Sequence, residues 1–209
     1  MISAHLLLMF VVALIIVSAL PGADMALVMQ TSMSRGARSG FAAACGLGIA
    51  RATHVTLSAC GLAALLHNAP WLYDGVRYVG AVYLAWVALQ IFRAPVFALP
   101  EADMPTAAAR SRRADFVKGL LTNLLNPKAL LFCSVLLPQF IRPQAGSVWL
   151  QVLQLGILLV IVCALFDMLY VLGAARIAVW LRKHPVAQTV QKWAFSSALV
   201  AFAVRLSLD

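Results

Sequence analysis

Charge is what this sequence has least of. Only 11% of its 209 residues are charged, against about a quarter in ordinary soluble domains. Acidic residues are the scarcer sign: seven Asp and Glu face sixteen Lys and Arg, for a net charge of +9. Cysteine is sparse too. Four occur, with no Cys-x-x-Cys and no zinc-like spacing. That excludes a disulfide scaffold and a zinc site, and Cys45, Cys60, Cys133 and Cys163 read as buried thiols. The chain has no P-loop, no Ser nucleophile elbow and no His-Glu-x-x-His. ATP-driven transport within this chain and the motif-bearing enzymes therefore lack support, and no cofactor or metal is expected. No basic residue precedes the first apolar run, where a signal peptide carries its n-region, so that run reads as a retained helix.

What is present is apolar. Hydrophobic residues make up 63% of the chain and mean hydropathy is +0.93. Disorder is excluded, and the solvent of this single domain, residues 1–209, is mostly the lipid bilayer. A bilayer core of about 30 Å needs roughly 20 apolar residues per helix. Six stretches qualify: Ile2 to Leu20, continuing past Pro21 to about Gln30; Gly40 to Leu66; Asp74 to Phe92; Lys118 to Phe140; Ser147 to Ala175; and Ala187 to Ser207. Runs such as Leu6 to Leu20 and Gln154 to Phe166 are apolar all round. A barrel strand would alternate, so the fold class is an all-α integral membrane protein with six transmembrane helices.

The basic residues orient it. Eleven lie in the first-to-second, third-to-fourth and fifth-to-sixth connections, from Arg35 to Lys192, and three (Arg77, Arg142, Arg205) on the other side. Basic loops face the cytoplasm, which puts both termini outside. Contact of these loops with anionic lipid accounts for the net charge, and no nucleic-acid partner is expected. The linker 93–117 holds three prolines and the Arg110/Arg112/Arg113 cluster, and divides the chain into halves 1–92 and 118–209. Three helices per half give the halves opposite orientations. Each half carries a proline in its first helix, Leu20-Pro21-Gly22 and Asn126-Pro127-Lys128. Paired broken helices are the pointer to two inverted three-helix repeats with a site at the breaks.

Each charge inside a span costs about 2.5–3.5 kcal/mol on insertion scales. Asp24, Arg51, Lys128 and Asp167 carry that cost. Pro21 lacks an N–H and frees backbone groups, and Gly22 loosens the chain beside it. Asp24 there either holds an ammonium group or a proton, or sits solvated at the inner surface. Asn126, Pro127 and Lys128 read as N-cap, N1 and N2 of a restarted helix, whose free N–H groups and dipole favour an anion. Lys128 adds a full charge to that anion site, or else pairs with Asp24 or snorkels. Arg51 and His54 share one face of the second helix; His54 either relays protons or makes an interhelical hydrogen bond. Asp167, near Tyr170, neutralises Arg51 or Lys128, or carries protons. Small residues at Gly46, Gly48, Gly61 and Gly80 read as helix packing.

The same residues carry a family resemblance. Pro21-Gly22-Ala23-Asp24-Met25 resembles the PGPDM motif of the LysE/RhtB amino-acid exporters, and Ser34-Arg35-Gly36 the basic turn after it. Gly61 to Leu66 with His54, and Gly80 to Leu84, are similar to their second- and third-helix segments. The most specific stretch joins Phe116, Gly119, Leu120, Leu121, Asn123, Asn126, Pro127 and Lys128, followed by Leu137-Pro138-Gln139-Phe140. Four positions depart from the pattern: Ala23 replaces the second proline, Arg51 stands where an acid is common, and Ser197 and Ala203 replace glycines. The resemblance implies a bacterial inner-membrane secondary exporter, driven by the proton gradient and often a homo-oligomer. The resulting expectation is efflux of a zwitterionic, neutral amino acid. Substrate-binding residues are Pro21, Gly22, Asp24, Asn123, Asn126, Pro127 and Lys128, with Met25 and Phe132 in an apolar pocket. Charge-coupling residues are Asp24, Arg51, His54 and Asp167. The rival readings are export of a cation or toxic metabolite, a Cys-based redox protein, and a non-transporting scaffold.

Overall fold

The computed structural model describes residues 2–20, 22–68 and 111–208, together with 78, 82, 85, 86, 88, 89, 92 and 93. The rest of the third apolar stretch, the linker through Arg110, and Pro21 lie outside the described residues. The described residues contain helices and no strands. The helices are α1 (Ala4–Ala19), α2 (Ala23–Arg35), α3 (Ala37–Asn68), α4 (Arg112–Leu124), α5 (Pro127–Leu131), α6 (Val148–Lys183) and α7 (Pro185–Leu208). Between α5 and α6 the chain passes through a π turn, Phe132–Leu136, and two 3-10 turns, Leu137–Phe140 and Pro143–Ala145.

Among the described residues, one helix is long and apolar enough to cross a membrane alone, Val148–Leu181 within α6. Two bent pairs also qualify if each is one span. α1 and α2 meet at 54°, and α4 meets the segment from Lys128 to Phe140 at 61°. Both bends fall at the expected prolines. The 32-residue α3 reaches about 48 Å at 1.5 Å per residue, but Arg51 and His54 near its middle lower its hydropathy.

Several ends differ from expectation. α4 begins at Arg112, six residues before the anticipated Lys118, so the last part of the 93–117 linker is helical. Ser111 starts it: its hydroxyl accepts from the Ala114 N–H at 3.3 Å and caps an otherwise free donor. α6 runs on past Ala175 to Lys183, because Ala178 and Leu181 still find a buried face.

The two bends separate two apolar cores. Phe10 and Leu14 of α1, the Phe132–Ile141 segment, and Val152, Leu155 and Leu159 of α6 form one. Met25 to Met29 of α2, Leu47 of α3, and the α6 face from Tyr170 to Leu181 form the other. α3 packs along α4 more extensively than any other described pair. Glycine makes this possible, as expected for Gly46. A methyl at Gly46 would collide with the Phe116 carbonyl, and one at Gly119 with the Ala43 carbonyl. Gly48 and Gly61, by contrast, face open space. Gly119→Val is expected to cost about 1–3 kcal/mol and lower the melting temperature of the detergent-solubilised protein. Gly48→Val should leave it unchanged. Equal melting of the two variants would contradict this contact.

Candidate functional site

The site lies where both bends meet α3 and α6, and its chemistry starts with the prolines. Proline cannot donate to the carbonyl four residues earlier. For Pro21 that carbonyl belongs to Val17, and for Pro127 to Asn123. A side chain from the opposite half takes each one. Lys128 Nζ donates to the Val17 carbonyl at 2.6 Å and to that of Leu20 at 3.2 Å. His54 Nε2 lies 3.2 Å from the Asn123 carbonyl, which also accepts from the Asn126 N–H at 3.0 Å. Tyr170 Oη donates to a third loose carbonyl, Ser18, at 2.8 Å. Each break is therefore capped by a side chain of the other half, the first by Lys128 of the second break and the second by His54 of α3, which makes the interhelical bond that was one of its two readings.

Asp24 stands in the first turn of α2, where a carboxylate suits the helix dipole. It accepts from Asn123 Nδ2 at 2.6 Å, Asn126 Nδ2 at 2.9 Å and Arg51 at 3.2 Å. It is not a solvated surface residue. Arg51 also donates to both oxygens of Asp167, at 3.2 Å for Oδ1 and in a shorter bond to Oδ2. Such a two-pronged guanidinium–carboxylate pair is the strong form of this bond. Arg51 thus lies between two carboxylates, and with Lys128 the four charges sum to zero. Burying the set is tolerable only because each member is bonded.

Two sequence readings of Lys128 change. It makes no ion pair with Asp24 among the described residues, since the broken α1 end supplies nearer acceptors. The anion site ascribed to the restarted helix also shrinks. Asn126 Oδ1 takes the Lys128 N–H at 3.0 Å, and α5 lasts only five residues, too few for a large dipole. Positive charge at this point comes from Lys128 itself.

A cavity of about 70 Å³ opens here, several times the roughly 10–15 Å³ that one water requires. Asp24, Arg51, Asn123, Asn126, Lys128 and Asp167 line it, as does Gly22. His54 is not on its wall. Two polar groups in the wall are left over. An ammonium has three N–H donors, and Lys128 uses two on carbonyls, so one has no partner among the described residues. Asn123 Oδ1 is buried and accepts from nothing among the described residues. An unpaired donor and an unpaired acceptor among the described residues thus belong to two residues of one cavity wall. No group of His, Cys, Asp or Glu among the described residues is placed to hold a metal ion.

Sequence reasoning missed two participants. Tyr170 was noted only as a neighbour, although its spacing of three from Asp167 puts both on one helix face. Asp115 lay in the presumed linker. It is buried and paired with Arg35, joining the start of α4 to the end of α2. A serine followed by an acid in the next turn was the signal for that helix start.

The model of the family described as LysE type translocator matches residues 15–209. An uncharacterized membrane protein of Pseudomonas aeruginosa is 33% identical over 95% of this chain and 93% of its own. The homoserine/homoserine lactone efflux protein of Salmonella typhimurium is 31% identical over 90% of this chain and 88% of its own. The leucine efflux protein of Salmonella choleraesuis is 29% identical over 95% and 92%. No solved structure matches.

Proposed function

The chain belongs to the LysE type translocators, and from that membership we propose that it exports a zwitterionic amino acid with no net charge by secondary active transport. One observation carries this: the residues lining the cavity at the two breaks are charge-balanced, yet among the described residues Lys128 keeps one unpaired donor and Asn123 one unpaired acceptor. A zwitterion supplies the complement to both. Its carboxylate meets the third N–H of Lys128. Its ammonium meets Asn123 Oδ1 and Asp24, displacing the Arg51 donor from Asp24 while Arg51 stays on Asp167. A bare cation would find an acceptor but leave the lysine donor unpaired.

The names of the relatives, leucine efflux and homoserine/homoserine lactone efflux, support cargo of this class. Six spans in two inverted repeats, both termini outside and insertion in a bacterial inner membrane complete the reading. The paired bends and the positive-inside bias support it. Protons are the proposed coupling ion, with Asp24 and Asp167 as carriers around Arg51.

The test is release of amino acids from cells preloaded with dipeptides, with and without a proton uncoupler. A neutral amino acid should leave faster than from cells lacking the protein, and the uncoupler should abolish the gain. Asp24→Asn keeps the shape but loses the charge. It should slow release about ten- to a hundredfold, the worth of a hydrogen bond to a charged group. No acceleration for any amino acid, with the protein confirmed in the membrane, would sink the proposal.

A further inference from the structure

The cavity has a second end that the polar network does not use. Leu14 lies one turn before Val17 and Ser18 on α1. Phe132 lies one turn beyond Lys128, and Leu159 two turns before Asp167 on α6. All three line the cavity and belong to the same apolar core. Met25 and Tyr170, which also line it, belong to the other core. The polar belt therefore has an apolar recess on one side. Phe132 floors that recess, held from behind by aromatic contacts. Its ring centroid is 6.0 Å from that of Phe10, which meets Phe140 edge-on at 5.0 Å. Phe10 is wholly buried, so the floor has no room to retreat. Polar groups nearby are already paired: the Cys133 carbonyl accepts from Ser58 at 2.6 Å, and Ser18 Oγ and Cys163 Sγ contact each other at 3.6 Å.

We propose that this recess receives the cargo's side chain and that Phe132, with Leu14 and Leu159 as walls, determines the size and polarity it admits. This rests on the amino-acid reading above. With carboxylate and ammonium held in the polar belt, the third substituent of the α-carbon faces the recess. An aliphatic side chain buries itself there. A charged one finds no partner, and a large aromatic one meets the Phe132 ring. Specificity of this kind is graded, since one methylene in an apolar pocket changes discrimination by about 10–200-fold.

The experiment measures release of alanine, leucine, phenylalanine, lysine and glutamate from loaded cells. It compares wild type, Phe132→Ala and Leu159→Phe at matched membrane amounts. Wild type should favour leucine over lysine and glutamate. Phe132→Ala should raise the phenylalanine-to-leucine ratio at least about tenfold, and Leu159→Phe should shift preference toward alanine by a similar factor. Should Phe132→Ala fail to reach the membrane, Leu159→Phe decides alone. Unchanged ratios in the variants that fold, or wild-type release of lysine or glutamate as fast as leucine, would overturn the recess as side-chain site. Wild type releasing none of the five would instead count against the amino-acid reading on which it rests.

Discussion

Arg51→Ala should prevent most of the protein from reaching the membrane in folded form. Arg51 is the only cation that Asp24 and Asp167 share among the described residues. Removing it leaves two carboxylates facing one cavity with only the charge of Lys128, which makes no ion pair with either among the described residues, to offset them. Breaking a buried pair from one side costs about 3–5 kcal/mol, a large share of the stability of any domain of this size. Arg51→Lys should recover only part, because an ammonium cannot bind both Asp167 oxygens and Asp24 in the guanidinium geometry. Arg51→Ala combined with Asp167→Asn should recover more, since the charge imbalance is then removed. The readout is the amount of monodisperse protein extracted in mild detergent and its melting temperature. Wild-type yield and melting for Arg51→Ala alone would show that the network does not hold the fold.

Lys128→Met should abolish export for two separable reasons. The thioether retains the length but no donor, so the Val17 and Leu20 carbonyls lose their partner. Each buried acceptor left unpaired costs about 1–3 kcal/mol. The cargo carboxylate also loses its cation, worth about ten- to a hundredfold in affinity for a charge-assisted bond. Lys128→Arg separates the two roles. It preserves charge and donors, so melting should stay near wild type, while its wider planar head crowds the cavity and raises the KM for efflux. Melting temperature and the efflux KM, measured on the same preparation, distinguish the outcomes. Full export by Lys128→Met would remove Lys128 from the site.

The breaks were legible because proline and asparagine act locally. Asn126 caps and Pro127 opens α5 as their chemistry dictates. The four costly charges were legible because lipid penalises them wherever they sit. Their pairing was not, because it depends on which helices meet. Nothing near Arg51 in sequence indicates that Asp167, 116 residues away, is its partner. Helix ends were the weakest part: α6 outlasts its hydrophobic stretch through tertiary contact. The role of Lys128 was half visible. Its charge could be read from composition, but its two carbonyl partners exist only once α1 bends toward it.

The capping of each break by the other half also constrains how the chain is made. The Leu20 carbonyl is bonded by a lysine 108 residues later. At roughly 5–20 residues per second, synthesis reaches that lysine some 5–20 s after Leu20. For that interval the first bend has no native partner, and water or the insertion machinery must serve its carbonyls. The Asn123 carbonyl, by contrast, emerges with His54 already in place. Completion is therefore one-sided. The later half arrives with its cap waiting, and its arrival finishes the earlier half. A chain truncated before Lys128 carries an open bend, a built-in mark by which a quality-control protease would distinguish it from a finished one.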